Sequence, residues 1–352
     1  MRLDWSLLLT VRSRRAVLVL PLAVGLWLGG ACAPADPPAA SLSGLTSTAH
    51  AAVSVSGPPP NAAPLDAAPG LADQVAPPIA PPTARPTPPP TATPTIPPPQ
   101  LVRDVAPPRV SAQMAVVLDE ASGAILYGRD ENREVAPASL TKIVTAMVAL
   151  ELGHPSDRVT TDVDSRVMWD STIMGLVPGE EVSLEDLLYG MMLPSGNDAA
   201  IAIARYIAGS ETVFADLMNA KVRQLGLQHT HFMNPHGLEQ EGHYSSPYDM
   251  AMLAREAMRN PFFRRLAAAK QWDASGLLRS YHLVNLNRLL WQYPGADGVK
   301  IGYEDTAINT MVVSAVRDGH RIYASFMRST SRDADGTALL NYAFNAYAWP
   351  GQ

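Results

Sequence analysis

The chain has 352 residues, 32 of them proline, and a formal net charge of −6. Of those prolines, 22 lie between Pro34 and Pro108, a run of 75 residues. Proline lacks the backbone N–H that helices and central strands need, so this density excludes one continuous fold. A 47% hydrophobic content with mean hydropathy near zero also excludes a polytopic membrane protein and a wholly disordered one.

The charge divides along the same line. Residues 1–33 carry Arg2, Arg12, Arg14 and Arg15 against Asp4, a net of +3. Residues 34–108 carry Arg85 and Arg103 against Asp36, Asp66, Asp73 and Asp104, a net of −2, which leaves −7 for residues 109–352. An acidic folded part lacks the basic face of a nonspecific nucleic-acid binder, so no nucleic-acid partner is expected. Cys32 is the only cysteine, so the folded part has no disulfide and no cysteine metal site.

In chain order, Arg12, Arg14 and Arg15 precede an uncharged run from Ala16 to Leu28, the pattern of an export signal. Continued to Ala33, the run has 18 apolar or small residues, marginal for a membrane span. Three fates are open for residues 1–33. The segment stays as an N-terminal membrane anchor with its arginines inside, it is cleaved after Ala33 or Ala35, or Cys32 is lipidated. Gly29-Gly30-Ala31-Cys32 resembles a bacterial lipoprotein cleavage box, with Gly29 where a large apolar residue is expected. Residues 34–108 read as a Pro/Ala/Thr-rich disordered linker. Extended at about 3.1 Å per residue, it reaches on the order of 200 Å. Residues 109–352 are long enough for one domain with a substantial core.

That domain opens with a strand over 112–118, a turn at Glu120–Gly123 and a second strand over 124–127. The spacing of Leu140, Ile143, Val144, Met147 and Val148 predicts a helix over 138–152. A helix over 183–192 starts at Ser183, with Asp186 placed to close a capping box. Helices follow over 197–208 and 211–225. A hairpin over 310–327 turns at Arg317–His320, and a last helix spans 334–347. Strands at both sequence ends with helices between predict an α+β fold, its antiparallel sheet built from the two ends.

Three short motifs carry chemistry. Ser139-Leu-Thr-Lys142 puts an amine beside a hydroxyl one helical turn away. Serine becomes a nucleophile when a base takes its proton, and lysine is such a base when burial or a neighbouring cation lowers its pKa. Ser195-Gly-Asn197 sits in a tight loop before a helix, where Ser or Asn also serves as an ordinary cap. Lys300-Ile-Gly302 reads as a strand cation followed by a glycine that lets a ligand lie close. An exposed edge lysine reads the same way.

Their order is more specific than any one of them: Ser-x-x-Lys, Ser-x-Asn, then Lys-x-Gly. Together with Asn234-Pro-His-Gly237, His243–Asp249 and Tyr293–Lys300, they resemble the D-alanyl-D-alanine carboxypeptidases, low-molecular-weight penicillin-binding proteins of the bacterial cell wall. The resemblance covers residues 111–345. It implies a β-lactamase/DD-peptidase-like fold with an all-helical half, and 109–352 as a catalytic domain. It also implies a two-step acyl transfer on peptidoglycan stem peptides without a cofactor or metal. Ser139 would be the nucleophile and Lys142 the general base. Ser195 would relay a proton, Asn197 would hold Lys142 and the substrate amide, and Lys300 would supply positive potential. The backbone N–H groups of Ser139 and Tyr303 would form the oxyanion hole. Ile301, Gly302 and Arg332 would border the substrate carboxylate. β-Lactams would acylate the same serine, and the setting would be the extracytoplasmic cell envelope. The longer relatives carry a C-terminal anchor, so tethering here is expected from the N-terminal segment.

The sequence departs from the family pattern on the third motif. Ile301 replaces the usual threonine, Glu304 replaces another threonine, and Ile308 replaces a glycine. A missing charge-assisted bond to the carboxylate is worth about 1.5–3 kcal/mol, or roughly tenfold to a hundredfold in transition-state binding. The expectation is a weakened or respecified hydrolase. A noncatalytic peptidoglycan-binding homologue is the alternative. A β-lactamase is disfavoured, because no Glu-x-x-Leu-Asn follows Ser195. A zinc site among His229, His231, His236 and His243 lacks the accompanying His-Glu-x-x-His.

Overall fold

The computed structural model describes residues 96–350. The export-signal reading, Cys32 and the linker as far as residue 95 lie outside the described residues.

The strands are β1 (Gln100–Leu101), β2 (Met114–Asp119), β3 (Ile125–Arg129), β4 (Arg158–Thr161), β5 (Glu180–Ser183), β6 (Gln271–Ser275), β7 (Ser280–Val284), β8 (Ala296–Glu304), β9 (Ile308–Arg317), β10 (His320–Ser329) and β11 (Tyr347–Ala348). The helices are α1 (Lys142–Leu152), α2 (Leu184–Met192), α3 (Asn197–Ala208), α4 (Glu211–Gln224), α5 (Pro247–Ala257), α6 (Pro261–Ala268), α7 (Leu289–Gln292) and α8 (Arg332–Ala346).

Five strands form one antiparallel sheet in the order β3-β2-β10-β9-β8. The two sequence ends meet in it, as the hairpin patterns predict. Side chains alternate across the pleat. Ala115 and Val117 of β2, and Ile322, Ala324 and Phe326 of β10, join a core closed by Leu339, Leu340 and Ala343 of α8. Met114, Tyr323 and Met327 turn to the other face, into the larger core with α1 to α6. The fold is therefore α+β, with a helical half on one side of the sheet.

Local chemistry explains where the helices start. Ser183 accepts from the Asp186 backbone N–H at 3.0 Å, the expected cap, and donates to its carboxylate at 2.7 Å, so Asp186 answers the hydroxyl and not the backbone N–H that a full capping box uses. Ser246 caps α5 and Asn260 caps α6, each followed by a proline at the first helical position. Those two helices and the β6–β7 hairpin are absent from the sequence expectation. The predicted helix over 138–152 is a 3-10 turn at Ala138–Thr141 that runs into α1. Part of the segment read as linker is docked on the domain: β1 pairs with β11, and Val102 N donates to Ala346 O at 2.9 Å.

The β8–β9 turn holds an unfavourable residue. Ile308 has φ +53, the left-handed region that β-branched residues avoid. It pairs with Glu304 across the hairpin. Such strain costs on the order of 1–3 kcal/mol. Ile308→Gly is expected to raise unfolding stability by about 1 kcal/mol. The urea midpoint checks this, and a lower midpoint would show that the isoleucine side chain outweighs its backbone strain.

Candidate active site

Two buried lysines define the site. Lys142 opens α1, and its side chain is fully buried. Its Nζ lies 2.9 Å from Ser139 Oγ, and donates to Asn197 Oδ1 at 2.6 Å and to the His236 carbonyl at 2.6 Å. Burial first, then the charge of Lys300, hold this amine well below the ordinary lysine range, and Glu304 and Asp198 partly oppose the shift. Lys300, on β8, is 2% exposed. Its Nζ donates to Ser195 Oγ at 2.9 Å and to the Ile301 carbonyl at 3.0 Å. Burial, and next the charge of Arg332, push it down to about 7.

The first two motifs approach each other through strained backbone. Ala138 has φ +51 and Ser195 has φ +66, both rare for residues with a Cβ. Ala138 is held from three sides. Its carbonyl accepts from Thr141 Oγ1 at 2.9 Å. Gly237 presses so close that a Cβ there would lie 2.0 Å from that carbonyl. Thr310 Oγ1 donates to the preceding Pro137 carbonyl at 3.0 Å. Gly302 has a similar reason to be glycine: a Cβ would come 2.9 Å from Ser139 N. The absent side chain lets β8 lie against the serine backbone.

These residues border a cavity of about 740 Å³. Its lining includes Ser139, Ser195, Asn197, Ile301, Gly302, Tyr303 and Arg332, with Lys142 and Lys300 bonded beneath. The structure therefore brings together every predicted site residue of the folded part. Ile301 is 7% exposed and packs in the core with Met311 while bordering the cavity. Glu304 also lines it, and burial raises its carboxyl pKa. Ile308 is not among the lining residues, so the three departures from the family pattern do not all face the cavity.

Sequence reasoning missed several neighbours. Arg288 lines the cavity and lowers the pKa of Arg332 after burial has done so. Arg332 Nε is buried with no hydrogen-bond partner among the described residues. A loop over 170–176 forms another wall. Asn197 Nδ2 donates to Ser171 Oγ at 2.6 Å, and Thr172 Oγ1 donates to the Ser195 carbonyl at 2.7 Å. Asp198, fully buried beside the second motif, accepts from the backbone N–H of Met174, Gly175 and Leu176 at 2.7, 2.7 and 2.9 Å. Asp198 directly follows Asn197, and that adjacency was the only available signal.

The four histidines have separate tasks. His229 lies 3.1 Å from Glu134, and His231 Nδ1 meets the Gly242 carbonyl at 2.8 Å. His236 faces Glu211 at 3.5 Å, and its backbone carbonyl holds Lys142. His243 Nδ1 accepts from Met233 N, so its Nε2–H donates to Thr141 Oγ1 at 2.9 Å. Burial pushes His243 down to about 3, which keeps it neutral. No group of three or more metal-ligating side chains converges among the described residues.

Comparison with known proteins agrees with this geometry. Residues 102–331 match the family model described as D-alanyl-D-alanine carboxypeptidase. The chain is 39% identical over 245 residues to the D-alanyl-D-alanine carboxypeptidase DacF of Bacillus subtilis, covering 67% of this chain and 63% of that protein. It is 34% identical over 248 residues to DacB2 of Mycobacterium tuberculosis, covering 69% and 83%. The crystal structure of the Streptomyces K15 DD-transpeptidase superimposes with a TM-score of 0.65 at 31% identity, covering 68% of this chain and 100% of that one. A D-alanyl-D-alanine carboxypeptidase structure from M. tuberculosis gives 0.66 at 33% identity, covering 72% and 97%.

Asp198 carries the loop wall. Asp198→Ala leaves two buried N–H groups and one partly buried N–H group without an acceptor and is expected to cost about 3 kcal/mol of stability. Urea unfolding measures it, and a loss under about 1 kcal/mol would show that the loop is held by other contacts.

Proposed function

The chain belongs to the D-alanyl-D-alanine carboxypeptidase family, and on that premise we propose that it is a serine carboxypeptidase. It removes the terminal D-alanine of peptidoglycan stem peptides through an acyl-enzyme on Ser139. The observation that carries the reading is the buried, pKa-lowered Lys142 amine 2.9 Å from Ser139 Oγ.

A neutral Lys142 amine accepts the Ser139 proton as Oγ bonds to the carbonyl carbon of the penultimate D-alanine. The negative charge gathers on the carbonyl oxygen, where the N–H groups of Ser139 and Tyr303 receive it. Donors of this kind are worth several kcal/mol when fixed beforehand. The tetrahedral adduct then collapses, breaking the C–N bond. Lys142 returns its proton along Ser195, which Lys300 holds by its hydroxyl, to the departing amine and is neutral again. Water then gives a proton to Lys142 as it attacks the ester carbonyl, and Ser139 Oγ takes that proton as its bond to the acyl group breaks. The substrate carboxylate meets Lys300, Arg332 and Arg288, the positive side of the cavity. β-Lactams, whose ring amide mimics the scissile bond, acylate the same serine.

The domain assignment belongs to this reading. Residues 109–352 form the catalytic domain in the cell envelope, held by residues 1–33 through the proline-rich linker. Mature-protein mass after expression in the native host distinguishes cleavage, retention and lipidation at Cys32.

A fluorescent penicillin tests the chemistry. Wild type is expected to label covalently and Ser139→Ala not at all. A folded wild type that neither labels nor releases D-alanine from a stem-peptide mimic would leave the noncatalytic reading. Ile301→Thr restores a hydroxyl at the carboxylate wall and is expected to speed acylation about tenfold. Stopped-flow labelling checks it, and an unchanged or slower rate would remove residue 301 from carboxylate recognition.

A further inference from the structure

A second concavity lies at the far end of the sheet. Its volume is about 420 Å³, and Arg255, Arg259, Arg264 and Arg321 line it with Glu120 and Ala121. Four arginines around one pocket are unusual in a domain whose residues 109–352 sum to −7. The pocket is remote from Ser139. Asp297, paired with Arg321 at 2.6 Å, marks its end of β8, and Tyr303 lies at the other end. Six residue-to-residue steps along the strand separate them by roughly 20 Å.

Three of the arginines are held so that donors are left over, while Arg321 spends its fork on Glu120 and Asp297. Arg255 Nε donates to the Glu120 carbonyl at 2.6 Å and Nη2 to the Ala121 carbonyl at 3.3 Å. Its guanidinium lies against the backbone of Gly123. Arg264 Nε donates to the Met258 carbonyl at 3.1 Å. Arg259 pairs only with Glu256, at 3.0 Å. Glu120, the carboxylate in the pocket, is already engaged by Arg321 and Tyr323. Arg255 Nη1 and both Nη groups of Arg264 make no hydrogen bond among the described residues. Backbone carbonyls thus fix two planar forks beside a third, exposed one. Such forks match phosphate oxygens and carry a charge that does not titrate near neutrality.

We propose that this pocket is an anion site that binds phosphate groups, carried either on a soluble polyphosphate chain or on a phospholipid headgroup. The two sources share the chemistry and differ in where they hold the domain. A phosphate there bridges Arg255 at the end of α5, Arg259 in the turn that follows it and Arg264 of α6, without involving the candidate catalytic residues.

The test uses the full chain and an Arg259→Gln/Arg264→Gln double variant. Tripolyphosphate binding is measured by calorimetry at about 50 mM salt, where phosphate contacts are weakly screened. Vesicles of phosphatidylglycerol in phosphatidylcholine are measured by sedimentation, against phosphatidylcholine alone. The double variant is expected to bind at least about tenfold more weakly. A fall in the tripolyphosphate arm alone identifies a soluble phosphate chain, and a fall in the anionic-vesicle arm identifies a headgroup. Equal behaviour of variant and wild type in both arms overturns the proposal. Melting midpoints check the fold. If the double variant melts early, Arg259→Gln alone replaces it, since that side chain is 76% exposed and among the described residues hydrogen-bonds to Glu256 alone.

Discussion

A lysine amine taken out of water loses hydration worth several kcal/mol unless it sheds its proton or meets acceptors placed for it. The interior of this domain holds two such amines, on Lys142 and Lys300. Much of the surrounding structure supplies what they need. Asn197 and the His236 carbonyl converge on Lys142 from α3 and from the segment before α5. Ser195 and the strand's own Ile301 carbonyl receive Lys300. Each lysine also disfavours the proton on its neighbours, so burial and mutual repulsion act in the same direction on Lys142. An amine whose pKa is lowered in this way is what a proton-accepting role beside Ser139 requires.

Holding those groups in place draws on the rest of the fold. Ala138 and Ser195 take left-handed backbone angles next to the lysines, and strained residues persist where the surroundings over-determine them. Thr141 and Gly237 fix Ala138, while His243, kept neutral by burial, donates to Thr141 from behind. Asp198 fixes the loop that reaches Ser171 and Thr172 over Asn197 and Ser195. The sheet contributes rigidity: β8 carries Lys300 at an edge whose other neighbour is β9, and Gly302 lets that edge touch the serine turn.

The departures from the family pattern have different physical meanings. Ile301 exchanges a polar contact for core packing beside the cavity. Glu304 adds a half-buried carboxyl to the cavity wall beside Ile301, and its field also opposes the lowering of Lys142. Ile308 affects the turn that joins β8 to β9 and not the cavity itself. Arg288 and Arg332 keep cationic groups on the cavity lining beside Asp170, Glu304 and Asp305.

The amino-acid sequence alone determined the parts set by local rules. Alternation gave the terminal strands, and Ser183 announced a capped helix, but the boundary drawn from proline density at 108 ran past β1, which pairs with β11. The spacing of Ser139 and Lys142 put their side chains within one turn, because that distance depends only on helical geometry. Contacts between distant segments were decided by the tertiary structure. The 2.9 Å approach of Lys300 to Ser195 spans 105 residues, and the His236 carbonyl that holds Lys142 comes from 94 residues away. A backbone carbonyl carries no residue-type signal at all. Arg288, Ser171 and Asp198 are ordinary loop and cap residues in sequence, and they become parts of the site only when packing turns them toward one cavity. The left-handed angles at Ala138, Ser195 and Ile308 were hidden for the same reason: local preference opposes them, and only the surrounding fold imposes them.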